Sequence, residues 1–176
     1  EMKAEEIPES LRAFGKAAKR AVEAGVDGIQ LHGAHGYLIN QFLSPFLNQR
    51  KDAWGGSDEK RFRFLKEVVL ETRKHMPDGM PLLIKMNTHD HTPKPGIIPA
   101  LAVKYAQWLV ELGIDGLEVS CGNGEFSPFN VFRGEVPVKE LLLSLPNWKK
   151  PLGKLMLKGM AGKFDLAGAY NVEAAR

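Results

Sequence analysis

Two imidazoles and a phenol fall within six residues in the run His32-Gly33-Ala34-His35-Gly36-Tyr37, directly after an apolar, strand-like segment. Residues leaving the carboxyl end of a strand enter the loops where α/β proteins keep their chemistry. The spacing therefore predicts that His32 and His35 converge on one small acceptor, with Tyr37 approaching from the side. Two ring N–H donors aimed at a carbonyl oxygen stabilise negative charge building there, and a phenol beside them can deliver a proton. A single histidine here would read as a capping group of the strand-to-helix turn, and Tyr37 as a core aromatic. Three such residues together favour a site.

Lys85 is the second residue that asks for a chemical explanation. It interrupts Pro81-Leu82-Leu83-Ile84-Lys85-Met86, a short apolar run bounded by turn residues that reads as a strand buried on both sides. An unpaired ammonium is costly to bury, so the fold must supply a partner. Two readings stand side by side: an acceptor on a cofactor, or a salt bridge to a strand-end carboxylate such as Glu118. His89, Asp90 and His91 sit on a Pro-rich loop without the regular separations of zinc ligands, so no metal site is expected. The irregular stretch from Ser44 to Ser57 reads as a functional or internally tied loop, with Arg50 and Asp52 pairing to hold it closed.

The elements that must position these groups follow from periodicity. Leu11, Phe14, Ala18 and Val22 share a face of a helix expected from about Ser10 to Ala24, stopped by Gly25. A strand follows from about Gly28 to His32. Ser57 caps a second helix, which buries Phe62, Leu65, Val69 and Thr72 and turns Lys66, Arg73 and Lys74 to water. A third helix, from about Pro99 to Leu112, carries Leu101, Tyr105, Trp108 and Leu109 toward the core and stops at Gly113. The strand Gly116 to Ser120 comes next.

Glu23 to Leu31 matches Glu111 to Val119 at an offset of 88 residues, so the chain repeats a helix-stop-strand unit. With the Lys85 strand between the copies, each unit takes roughly 44 residues, an ordinary length for a right-handed α/β crossover. The fold class is α/β with parallel strands. No GxGxxG turn follows any strand, which favours part of a (β/α)₈ TIM barrel over a dinucleotide-binding open sheet. A closed barrel takes roughly 250 residues, and this chain has 176. We therefore expect residues 1–176 to form an incomplete barrel domain of about three strands, its ends interrupted, with Asn171 to Arg176 reading as a capped helix cut after one turn.

A composition of 44% apolar and 26% charged residues, without an apolar run able to span a bilayer, fits an enzyme-like globular domain and excludes membrane and fibrous classes. One cysteine, Cys121, rules out an internal disulfide framework and points to a reducing, cytoplasmic setting. The formal charge of +3 is scattered along helices among acidic neighbours, so nucleic acid is not an expected partner. The tail from Gly122 to Lys163, with Phe126, Phe129, Phe132 and Arg133, has no clear period and reads as an excursion packing over the site.

The run His32 to Leu38, then Gln41-Phe42-Leu43-Ser44-Pro45, Asn48, Arg50, Asp52, Gly55-Gly56-Ser57 and Arg61-Phe62-Arg63-Phe64, resembles the Old Yellow Enzyme family of NADH:flavin oxidoreductases. That resemblance implies an FMN-containing (β/α)₈ barrel that takes hydride from NAD(P)H onto the flavin and passes it to the β-carbon of an activated alkene such as an enone. It implies that His32 and His35 bind the substrate carbonyl oxygen over the flavin, with His32 also against the cofactor, and that Tyr37 protonates the α-carbon. Lys85 matches the basic residue the family sets beside the flavin N1 and O2 edge, which turns the open choice at Lys85 toward the cofactor. Trp54 stands where the family usually has tyrosine and Lys60 where asparagine is common, both in a region read as structural.

The resemblance covers the fourth to sixth strands of such a barrel, while the phosphate site lies after strands seven and eight. We expect a segment that carries substrate activation without the phosphate grip, and a weak or absent flavin signal from the segment alone. The alternative expectation is a non-catalytic assembly module, self-associating through open sheet edges or pairing with the missing half of a barrel.

Overall fold

The computed structural model describes residues 2–127, 142–143 and 146–160. Phe129, Phe132, Arg133 and the expected helix from Asn171 lie outside the described residues. A 3-10 turn, Ala4–Glu6, leads into helix α1, Ile7–Glu23. Strand β1, Ile29–Gly33, is followed by a short helix α2, Leu38–Leu43, and by α3, Asp58–Arg73. Strand β2, Leu82–Asn87, helix α4, Pro99–Glu111, and strand β3, Gly116–Ser120, complete the pattern. Helix α5, Lys150–Met160, stands further along the chain.

The three strands form one parallel sheet in the order β1-β2-β3. The 88-residue repeat therefore marks two strands on either side of β2, as its spacing predicts. Each copy ends its helix with a glycine in the left-handed region, Gly25 at φ 80° and Gly113 at φ 75°, where a side chain would strain the turn into the strand.

Alternation along the strands separates two faces. Leu31, Leu82, Ile84 and Met86 are buried in one core with Phe62, Phe64, Leu65, Val68 and Val69 of α3 and with Tyr105 and Leu109 of α4. Phe42 of α2 stacks on Phe64 at 4.0 Å, and Phe62 on Tyr105 at 5.6 Å. The opposite face, the one that turns inward when such a sheet closes into a barrel and is called concave below, carries Gln30, His32, Leu83, Lys85 and Glu118. In register, His32, Lys85 and Glu118 form one row across the three strands.

One sequence expectation needs correction. Arg73 does not simply face water: its guanidinium donates to the carbonyl oxygens of Met80 and Gly113 and to Asp115, whose carboxylate also accepts from Leu82 N at 2.8 Å. It staples the entry of β2 to that of β3. Leu101 and Trp108 pack against the core, partly buried, on the side of α4 expected to face it. Arg50 and Asp52 do pair, and Arg50 also reaches the Met2 carbonyl at 2.6 Å. Trp54 packs edge-on against Phe42 and Phe64 with the Arg63 guanidinium over its ring, the structural part expected of it.

Candidate functional site

The side chains of His32, His35 and Tyr37 come together where β1 ends. His32 is the last concave-facing residue of the strand; its ring lies 5.2 Å from that of His35 at 85°, and 4.8 Å from that of Tyr37 at 52°. His35 adopts φ 63° and Gly36 φ 84°, so the chain makes a left-handed bend that brings the second ring back over the first. A Cβ on Gly36 would meet the Asn123 side chain at 2.6 Å, in a conformation that already favours glycine. Tyr37 is 61% exposed and borders a recess of about 450 Å³ with His35, Gln41, Leu47, Asn123 and Glu125. A larger, shallower recess of about 580 Å³ surrounds Met2 and Arg50, away from the histidines, and its arginine is committed to Asp52.

The bend is held by residues that sequence reasoning passed over. His35 N donates to Asn87 Oδ1 at 3.3 Å, and Gly36 N to Asn40 Oδ1 at 2.7 Å. Both asparagines are fully buried, and each donates its amide to one oxygen of the buried Asp90, at 2.8 and 3.1 Å. The other Asp90 oxygen accepts from Ile97 N at 2.8 Å. One carboxylate thus fixes the orientation of two amides, and these present their oxygens to the backbone that carries the histidines. Asp90 belongs to the triplet weighed above as a metal motif; the His89 Nδ1 in that triplet accepts from His91 N at 2.8 Å, and among the described residues no metal-binding cluster forms. Asp90→Asn puts an N–H₂ where acceptors are needed, so we expect a loss of about 1–3 kcal/mol, read as a lower denaturant midpoint at unchanged slope. A midpoint equal to wild type would contradict the carboxylate's role.

His35 is tied a second time, by Nε2 to Ser120 Oγ at 2.6 Å, at the end of β3. Its carbonyl accepts from Gly124 N at 3.0 Å. The signal that could have found Asn87 and Ser120 is their position, as polar residues at the carboxyl ends of β2 and β3.

Burial is the main cause that lowers both histidine pKa values; His35, with His32 and Lys85 also nearby, is brought down to about 4 from an ordinary 6.5, and His32 is lowered by burial and then by Lys85. Both rings are therefore neutral near pH 7. The unfolded chain takes up a proton on His35 near pH 6.5 while the folded chain resists it until about pH 4. The His35 contribution to stability is thus intact above the unfolded value and is lost as pH falls across this window. The melting temperature of wild type should drop more steeply between pH 6.5 and 4 than that of His35→Gln; parallel curves would contradict this.

Lys85 Nζ lies 2.8 Å from Glu118 Oε1, so the salt bridge considered from sequence is present. Gln30 Nε2 donates to the other Glu118 oxygen at 2.8 Å, and the bond from Lys85 is the leading cause that lowers the Glu118 pKa. Pairing does not exhaust the lysine: an ammonium has three donors, Glu118 takes one, and the side chain remains 29% exposed on the concave face. A cation, an amide and an imidazole side by side on an open concave face suit the carbonyl-bearing edge of a flavin ring, so the residues present fit the cofactor.

The parallel strands and their crossover helices define a segment of an α/β barrel. The model of the NADH:flavin oxidoreductase / NADH oxidase family matches residues 1–123, and the chain belongs to this family, whose cofactor is FMN and whose reductant is a nicotinamide. It is 45% identical over 134 residues to the NADPH dehydrogenase of Bacillus subtilis (strain 168), covering 76% of this chain and 39% of that relative. Among solved structures it is similar to 2-naphthoyl-CoA reductase in complex with 2-naphthoyl-CoA, with a TM-score of 0.69, 32% identity, and coverage of 86% of this chain and 23% of that one. It is also similar to the old yellow enzyme homologue from Zymomonas mobilis, with a TM-score of 0.60, 30% identity, and coverage of 70% and 35%. The chain thus spans about two fifths of the length of the NADPH dehydrogenase it matches. No helix among the described residues is long and apolar enough to cross a membrane.

Proposed function

We propose that this chain carries the substrate-activating part of an FMN-dependent ene reductase, using NAD(P)H in the cytoplasm to reduce an enone or a similarly activated alkene. Its strands then correspond to the fourth to sixth of a (β/α)₈ barrel. One observation carries the reading: two imidazoles and an exposed phenol, with ring centroids 4.8 and 5.2 Å apart, stand beside a lysine-bearing sheet face in a chain of this family.

Bound FMN supplies the hydride carrier between the nicotinamide and the β-carbon. Lys85 and Gln30, with His32 on the same sheet face, would hold the polar edge of the ring, and Glu118 pairs with the lysine. His32 and His35 each donate a ring N–H to the substrate carbonyl oxygen, where charge develops as the β-carbon is reduced. Tyr37 holds the proton for the α-carbon at its hydroxyl, exposed enough to be replenished from solvent.

The full-length protein with FMN should oxidise NADPH in the presence of 2-cyclohexenone but not cyclohexene, which offers no carbonyl to the histidines. Equal rates with the two would contradict the reading. Lys85→Met should weaken FMN binding, measured by flavin fluorescence titration, because it removes a cation from the ring edge and leaves Glu118 to repel it. Unchanged affinity and an unchanged flavin spectrum would remove Lys85 from that position.

A second reading draws on the sheet itself. Among the described residues β1 and β3 each pair on one side only, which favours association with further strands, from another copy or from the rest of a barrel. Sedimentation showing a folded monomer of this chain alone would contradict it.

A further inference from the structure

We propose that Ser120 sets the tautomer of His35, so that Nδ1–H is the donor this ring offers to the recess beside Tyr37. The inference rests on the reading of His35 as a carbonyl-binding donor and says which of its two nitrogens does the work and what selects it. His35 Nε2 and Ser120 Oγ are 2.6 Å apart, a hydrogen bond between the turn after β1 and the last residue of β3. Ser120 is 8% exposed, and its backbone carbonyl is taken by Thr88 N at 2.8 Å and Thr88 Oγ1 at 3.1 Å, so its place is fixed from the strand side.

A serine hydroxyl has one proton to give, and among the described residues the acceptor within reach of Oγ is the His35 ring. If Nε2 carried the imidazole proton, it would donate to Oγ and leave the hydroxyl proton without an acceptor in a buried place, which is costly. With the roles reversed both groups are satisfied: Oγ–H donates to Nε2, and the single ring proton of the neutral imidazole sits on Nδ1. The ring has little freedom to evade this. Its backbone is in the left-handed region at φ 63°, with N–H bonded to Asn87 and C=O to Gly124. The opposite tautomer would turn a lone pair toward a substrate carbonyl oxygen and repel it. Ser120 thus acts through His35 and is a positioning residue.

Long-range ¹H–¹⁵N correlation of the ¹⁵N-labelled full-length protein at pH 7, with neither flavin nor substrate added, reads the tautomer directly. His35 should show a pyrrole-like Nδ1 and a pyridine-like Nε2. In Ser120→Ala the two shifts should move toward each other as the tautomers mix, and Ser120→Thr should restore the separation. A pyrrole-like Nε2 or averaged shifts in wild type would overturn the proposal, as would an Ala variant with unchanged shifts. The wild-type spectrum decides even if the Ala variant does not fold. Since no alkene is reduced in this experiment, its outcome is separate from that of the proposed reaction.

Discussion

Tyr37→Phe in the full-length protein should slow alkene reduction by about 10²–10⁴-fold while reduction of the flavin by NADPH proceeds at the wild-type rate, because a positioned general acid contributes in that range. The substitution removes one oxygen and keeps the ring that packs 4.8 Å from His32. Tyr37 is the residue before α2 and is 61% exposed, with no fold-stabilising hydrogen bond from its hydroxyl among those the structure gives, so the variant should melt with the wild type. The two half-reactions can be timed separately by stopped flow, mixing oxidised protein with NADPH and reduced protein with 2-cyclohexenone. Equal slowing of both would remove Tyr37 from the proton-donating role.

The second large effect belongs to His32. Its replacement by Ala should cost about 10²–10³-fold in alkene reduction, the range found when one donor to a developing oxyanion is removed. His32 is the better test of carbonyl binding than His35, because its side chain stands exposed at the end of β1, whereas His35 is bound into the fold through Ser120. His32→Asn, which returns a neutral N–H donor, should recover part of the loss. Partial desolvation by neighbouring groups, and then the Lys85 charge, lower the His32 pKa, so the donor is neutral imidazole near pH 7 and the Asn variant compares like with like. Full activity in His32→Ala would contradict carbonyl activation by this residue.

Much of the fold was legible because its signals are local. The repeat fixed β1 and β3 on either side of β2, and β3 runs from Gly116 to Ser120 as periodicity and the glycine stop indicate. Helix α1 begins at Ile7, three residues before the Ser10 expected to open it, because Pro8 within the first turn favours helical backbone and needs no partner for its missing N–H. Helix α2 was not foreseen: its six residues are too few for a period to show. It is held by Ile39, Phe42 and Leu43 in the core and by side-chain bonds from Asn40 and Gln41 to the backbone of Gly36.

The site divides the same way. The convergence of His32, His35 and Tyr37 was readable because they lie close in sequence at one strand end. Their supports were not, since Asn87, Asp90 and Ser120 reach them only through the parallel register, 52 residues on for Asn87 and 85 for Ser120. Arg73 misled for a related reason: a charged residue on the outer side of a helix reads as solvated, yet its length lets it span to the loop before β3.

The most direct test is a crystal structure of the full-length protein with FMN and 2-cyclohexenone bound. We expect the ketone oxygen within hydrogen-bond distance of a ring nitrogen of both His32 and His35, the α-carbon facing the Tyr37 hydroxyl, and Lys85 against the flavin edge. A ketone bound with its oxygen away from both histidines, or a flavin lying elsewhere than on the concave strand face, would contradict it.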